Sequence, residues 1–204
     1  MSILLIRHGE TALNVARVLQ PADTPLSARG VAQAEALARR LATLNITSIL
    51  SSDLPRALRT AQAISAATGA AIDTSALLHE RNFGDLRGQP YDGMVVNPLT
   101  MLEAPAGGES VAVFERRVAL AFAHIVQRRA ALDGRLAVVT HGMVIRVLLD
   151  RHLRLPAGEP MPVHLGNTSL SIVEALPPHG ISLLNCTRHL EPRAADDAQA
   201  LSGG

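Results

Sequence analysis

Two histidines in this chain occupy the same kind of place. His8 follows the apolar run Ile3-Leu4-Leu5-Ile6 and Arg7, with Gly9 behind it; His141 follows Leu136-Ala137-Val138-Val139-Thr140, with Gly142 behind it. A short apolar run that stops abruptly at polar residues and a glycine suits a buried strand of an α/β sheet. Ligands of such sheets bind just beyond the carboxyl ends of the strands. A third run, Ile46 to Leu50, ends at Ser51-Ser52-Asp53, and Arg56 falls in the first turn of a helix that carries Pro55 at its start. Parallel strands joined by helices would bring these three ends to one side of the sheet.

Two imidazoles and two guanidiniums, those of Arg7 and Arg56, would then face one pocket. Such a cluster is costly unless an anion fills it. A phosphoryl group fits, because forked Arg donors match its oxygens. Helix starts after Gly9 and Gly142 would add backbone N–H groups. A neutral imidazole, with its reference pKa of about 6.5, can attack phosphorus in line and split one displacement into two through a phosphohistidine. The guanidiniums and the second imidazole would stabilise the equatorial oxygens, so the chemistry calls for no metal and no cofactor. A His8–His141–Glu80 metal site is disfavoured by the two guanidiniums beside it. The leaving alcohol needs a proton, which a carboxyl kept protonated by its surroundings can give.

The elements that must position these groups are legible in outline. Ser27 is set to cap a helix through Val31, Ala34, Leu37, Leu41 and Leu44, and Asp53 to cap the next one, which stops near Gly69. Ala70 to Asp73 reads as a short strand, Leu77 to Gly88 as irregular, and Gly88 to Gly108, with Pro90, Pro98 and Pro105, as a loop or broken helix. Glu109 to Leu132 reads as a long helix, Met143 to Leu153 as another, and Ser169 to Glu174 and Ile181 to Asn185 as two late strands. Residues 1–191 are expected to form one domain and 192–204 a frayed tail.

Composition narrows the function classes. The chain has 204 residues, 48% hydrophobic and 18% charged, with net charge +1. That is an ordinary globular balance, with no field to attract nucleic acid or membrane. All 19 basic residues are Arg, which excludes a Schiff-base lysine and a P-loop lysine. A single cysteine, Cys186, cannot form an internal disulfide, and the apolar run before Arg7 is too short for a signal peptide or membrane span. A cytoplasmic protein is expected. No G-x-G-x-x-G follows the first strand, which disfavours a nucleotide-binding oxidoreductase.

Several further motifs occur in order. They are Arg7-His8-Gly9-Glu10-Thr11 with Asn14; Leu26-Ser27-Ala28-Arg29-Gly30 with Gln33-Ala34; and Ser51-Ser52-Asp53-Leu54 with Arg56-Ala57 and Thr60-Ala61. Next come Glu80 with Phe83-Gly84, Gly107-Gly108-Glu109-Ser110, Thr140-His141-Gly142 and Asn167-Thr168-Ser169. With this ordered set the chain resembles the histidine phosphatase superfamily, the phosphoglycerate mutase-like group. The resemblance implies a three-layer α/β/α sandwich around a mostly parallel sheet, with the site at the strands' carboxyl edge. It implies His8 as nucleophile, with Arg7, Arg56, His141, Asn14 and the helix start at Gly142 holding the phosphoryl group, and Glu80 as proton donor. Ser52, Thr60 and Ser169 match positions that look structural.

Residue by residue, alternatives stay open. Glu80 could pair with Arg81 or Arg87, and His79 is an adjacent candidate acid. Asn14 could be a helix or turn cap, and Glu109 is explained by a helix start. Thr11, Arg81, Arg87 and Tyr91 are candidate substrate contacts. Mutases of the family carry a long basic insertion between the Phe-Gly and Gly-Gly-Glu-Ser motifs. Here Gln89 to Ala106 has no Arg, and offers instead an apolar wall of Tyr91, Met94, Val95, Val96, Leu99, Met101 and Leu102. Hydrolysis of a small-molecule phosphate ester is the favoured reading, with phosphoglycerate mutase as the alternative. A phosphoprotein or phosphohistidine phosphatase and a non-catalytic phosphate-binding regulatory module come after it. Apolar late strands could pair two copies into a homodimer.

Overall fold

A computed structural model describes residues 2–92 and 94–190; the expected tail at 192–204 lies outside the described residues. Six strands form one sheet: β1 (Ser2–Arg7), β2 (Ile46–Ser51), β3 (Ala71–Thr74), β4 (Arg135–Thr140), β5 (Leu170–Glu174) and β6 (Ile181–Cys186). Their spatial order is β3-β2-β4-β1-β5-β6. The first four in that order run parallel, while β5 pairs antiparallel with β1 and β6 antiparallel with β5. The sheet is therefore mixed, with its parallel part carrying the strand ends of interest.

Alternation along the strands builds the layers, since successive side chains point to opposite faces. Ile3 and Leu5 of β1, with Leu136 and Val138 of β4, pack against Phe114, Val118, Ala121 and Ile125 of α4 (Val111–Ala130) and against Val144, Ile145, Leu148 and Leu149 of α5 (Gly142–Arg151). Leu4 and Ile6, with Ile49, Ala137 and Val139, pack on the other face. Their partners are Leu37, Ala38 and Leu41 of α2 (Ala28–Leu41) and Ala57, Ala61 and Ile64 of α3 (Pro55–Thr68). Both faces are covered, as the unbroken apolar runs of β1 and β4 require. Each fully buried Leu, Ile or Val contributes roughly 1.5–3 kcal/mol. No helix among the described residues is long and apolar enough to cross a membrane.

Local signals worked unevenly. Ser27 caps α2, its hydroxyl accepting from the Gly30 N–H, and Pro55 stands in the first turn of α3. Asp53 does not cap α3: Leu54 holds the cap position without a side-chain bond, and the Asp53 carboxylate instead pairs with the His79 ring. The expected helix from Glu109 begins at Val111, capped by the Ser110 hydroxyl through the Val113 N–H. Gly9 is required by close packing of two stretches of backbone. A Cβ there would lie 2.5 Å from the Gly30 carbonyl oxygen, so the loop after β1 can press against the start of α2 only if both positions are glycine.

Candidate active site

β1 and β4 are neighbours in parallel register, Arg7 opposite Thr140, so the residues just past their ends lie side by side. The His8 and His141 rings are 5.1 Å apart between centroids, tilted by 57°. Arg7, His8 and His141 are wholly buried, Arg56 is 1% exposed and Glu80 5%. Arg56 comes from the first turn of α3 and Glu80 from the irregular stretch between β3 and α4. The structure thus brings together the five residues that the sequence proposed for the chemistry.

The two rings are held by opposite nitrogens. His8 Nδ1 lies 2.6 Å from the Gly9 carbonyl oxygen. A carbonyl only accepts, so Nδ1 carries the proton and Nε2 the lone pair, and Nε2 has no partner among the described residues. His141 reverses this: Nε2 lies 2.8 Å from the Ser52 hydroxyl, and Nδ1 is left open. Burial first, then the charges of Arg56 and Arg7, hold the His8 pKa well below the ordinary imidazole value. Burial, then Arg56 and His8, do the same for His141. Both rings are neutral at pH 7.

Two charged walls face them. Burial pulls Arg7 and Arg56 down to about 10, which leaves both cationic at neutral pH. Arg7 donates to the Leu165 carbonyl. Arg56 reaches the Pro21 and Ala22 carbonyls at 3.3 and 3.4 Å, and its Nε is buried without a partner. Glu80 accepts the N–H of Arg81 at 3.1 Å on one oxygen and that of Met143, in the first turn of α5, at 3.2 Å on the other. Burial raises its pKa, opposed by those two N–H groups and by Arg56 and Arg7. A carboxyl pushed toward its neutral form beside two neutral imidazoles can give up a proton where charge develops.

The remaining sequence candidates divide. Asn14 is both a cap and an open donor. Its side-chain oxygen accepts from the Thr11 N–H and from Asn167, which also donates to the His8 carbonyl. Its amide NH2 is buried and unpartnered. Thr11 is spent as the N-cap of α1 (Ala12–Val15), accepting from the Asn14 N–H and donating to Gln20. The reciprocal bonds of Thr11 and Asn14 therefore use backbone donors that the start after Gly9 was expected to offer an anion. Gly142 does open a helix, at the position whose N–H has no partner inside the helix.

Arg81 is corrected most clearly. It is 1% exposed, and its guanidinium is consumed by the carbonyls of Glu109, Glu103 and Pro98, so it ties down the loop before α4 and is not open to a substrate. Arg87 is half-buried, makes no ion pair among the described residues, and is close enough to lower the pKa of Arg56. The Tyr91 hydroxyl is buried without a partner, and burial and the nearby Glu80 oppose its ionisation. The apolar wall is split. Tyr91, Met94 and Leu99 pack on the core, whereas Val95 and Leu102 face solvent at 102% and 71% exposure. His79 is engaged by Asp53 at the surface.

Two residues escaped the sequence reading. Ser52 looked structural, yet its hydroxyl meets His141 across 89 positions of chain. Gln20, 4% exposed, receives the Thr11 hydroxyl on its oxygen and leaves its own NH2 buried and unpartnered. The motif around Ser52 marked the position without its partner, and nothing near Gln20 marked it at all, because both contacts are made only in the fold.

A mixed α/β protein whose strand ends gather two neutral imidazoles, two cationic guanidiniums and a buried carboxyl with a raised pKa has a site receptive to a tetrahedral oxyanion. A profile of the histidine phosphatase superfamily (branch 1) matches residues 3–185, and the chain belongs to that superfamily. It is 35% identical over 185 residues, 85% of each chain, to the Yersinia pestis (strain Pestoides F) protein named "Probable phosphoglycerate mutase GpmB". The alpha-ribazole phosphatase from Shigella flexneri is similar in structure, with a TM-score of 0.77 at 25% identity over 92% of this chain and 97% of that one. So is mycobacterial glucosyl-3-phosphoglycerate phosphatase, with a TM-score of 0.71 at 29% identity over 84% of this chain and 89% of that one. Similar proteins thus include two named as phosphatases and one named as a probable mutase.

Proposed function

We propose that this protein hydrolyses phosphate monoesters of small molecules through a phosphohistidine on His8. The observation that carries the reading is the His8 ring: Nδ1–H is committed to the Gly9 carbonyl, and Nε2 is open among buried cations. In the first step Nε2 attacks phosphorus, the bond from phosphorus to the alcohol oxygen breaks, and Glu80 gives its proton to that oxygen. Arg7, Arg56, Asn14 and His141 stabilise the equatorial oxygens, the last through Nδ1–H when the Ser52 hydroxyl donates into Nε2. In the second step Glu80, now a carboxylate, takes a proton from water, whose oxygen attacks phosphorus and releases His8 with Nε2 restored. The group leaves as inorganic phosphate, and protons balance over the cycle.

Mutase activity is the second reading, favoured by the name of the 35% identical Yersinia protein. A mutase must bind a second anionic group and keep water from the phosphohistidine. The stretch from Gln89 to Ala106 carries no Arg or Lys, and Arg81 is spent on backbone carbonyls, which supports hydrolysis. The test is a panel of phosphate monoesters assayed with chelator for inorganic phosphate, beside a phosphoglycerate isomerisation assay. Release of phosphate with no isomerisation is expected. Isomerisation faster than phosphate release would overturn hydrolysis in favour of transfer.

A further inference from the structure

Glu80 sits on a stretch without regular structure, yet a proton donor must hold its place to a fraction of an ångström. Its backbone is gripped from one side by Arg117, on the second turn of α4. Arg117 donates to the Leu77 carbonyl at 3.0 Å, to the His79 carbonyl at 2.7 Å and to the Glu80 carbonyl at 3.2 Å. The same guanidinium is pinned by a two-point pair with Glu109, 2.8 Å from Nε to one oxygen and 2.7 Å from Nη2 to the other. The second of those oxygens also accepts the Asn82 N–H at 2.9 Å, and the Glu109 N–H donates to the Asn82 carbonyl at 2.8 Å. One ion pair therefore holds the chain on both sides of Glu80, at 77–80 and at 82. A forked pair of this kind fixes direction as well as distance. It is partly buried, with both side chains under a fifth exposed, so water screens it less than a surface pair. Neither residue belongs to the cluster that faces the oxyanion.

We infer that the Glu109–Arg117 pair is the positioning device for Glu80, setting where its carboxyl stands relative to the departing oxygen. The inference rests on the reading of Glu80 as proton donor. A displacement of about 1 Å at such a group can cost on the order of a hundredfold, and the loss falls on substrates whose leaving group needs the proton. An alkyl phosphate needs it; p-nitrophenyl phosphate, with a stable leaving anion, needs it far less.

The experiment compares kcat on an alkyl phosphate and on p-nitrophenyl phosphate for wild type, Arg117→Gln, Glu109→Gln, Glu80→Gln and the double variant Glu80→Gln with Arg117→Gln. Glu80→Gln by itself tests the underlying reading: an equal loss on both substrates, or none, removes Glu80 as proton donor and the positioning role with it. With that reading intact, Arg117→Gln and Glu109→Gln are expected to lose about tenfold or more on the alkyl ester and only a few-fold on the aryl ester. Adding Arg117→Gln to Glu80→Gln should change little further, because its effect runs through the group already removed. Equal loss on both esters, or multiplying losses in the double variant, would overturn the inference while leaving Glu80 as the donor. Should Arg117→Gln fail to fold, Glu109→Gln and Arg117→Lys carry the same comparison, and restoration of the alkyl-ester rate by Lys would count against a forked requirement.

Discussion

The ends of β1 and β4 start as near copies and finish as opposites. Each is an apolar strand that runs into a buried histidine and a glycine, and the two lie side by side in register. Beyond the glycines the two diverge. After β1 the chain makes a one-turn helix whose cap, Thr11, and third residue, Asn14, satisfy each other's N–H groups. The Gly9 carbonyl accepts the hydrogen bond from His8 Nδ1–H and leaves Nε2 bare. After β4 the chain enters the ten-residue helix α5, the Met143 N–H goes to Glu80, and the ring meets Ser52 through Nε2. A histidine's role here is set by which nitrogen its neighbours occupy, more than by the strand that delivers it.

This contrast predicts unequal consequences for equal substitutions. His8→Ala should abolish turnover of an aryl phosphate and leave no acid-labile phosphoenzyme in a rapid-quench experiment. His141→Ala should slow turnover by about a hundred- to a thousandfold, the loss of one preorganised charge-stabilising donor, with the phosphoenzyme still trapped. A phosphoenzyme that survives in His8→Ala and vanishes in His141→Ala would reverse the assignment. Ser52→Ala should be milder, a loss of several-fold in kcat, because the His141 ring stays in place and only the preference for its Nδ1–H tautomer is relaxed. An unchanged rate would remove Ser52 from the account.

The smallest effect is one in which the two rings should behave alike. Both are held neutral, with pKa values depressed by burial, while an unfolded histidine titrates near about 6.5. The unfolded chain therefore binds more protons below that value, so stability falls as pH drops through and below about 6.5, by at most ~1.4 kcal/mol per pH unit for each ring. Glu80 acts in the opposite sense, its raised pKa favouring the folded state toward acid and losing that contribution as pH rises through it. In denaturant titrations across this range, His8→Ala and His141→Ala should each remove a similar share of the slope. Removal by one and not the other would show that the rings differ in ionisation as well as in hydrogen bonding.

How far the chain could be read depended on how local each feature was. Strands β1 and β4, the Ser27 cap and the start of α3 were legible because period and capping act within a few residues. Asp53 misled, since its carboxylate had a competing partner in His79, distant in sequence. Arg81 misled for the same reason: nothing near it announces that carbonyls at 98, 103 and 109 will claim its donors. Glu109 was read as a helix-start carboxylate, and only the fold reveals its grip on Arg117.

By itself the sequence determined the residue types that can hold an oxyanion without lysine, the apolar strands that deliver them, and an ordered motif set that places the chain in its superfamily. The tertiary structure decided that β4 inserts between β1 and β2 so that His8 and His141 meet, which nitrogen of each ring stays open, and which arginines face the site or brace its frame. The physical reason is range. Periodicity and capping are contests between neighbours in the chain, whereas tautomers, buried charges and guanidinium partners are settled by groups that only the fold brings within hydrogen-bond distance.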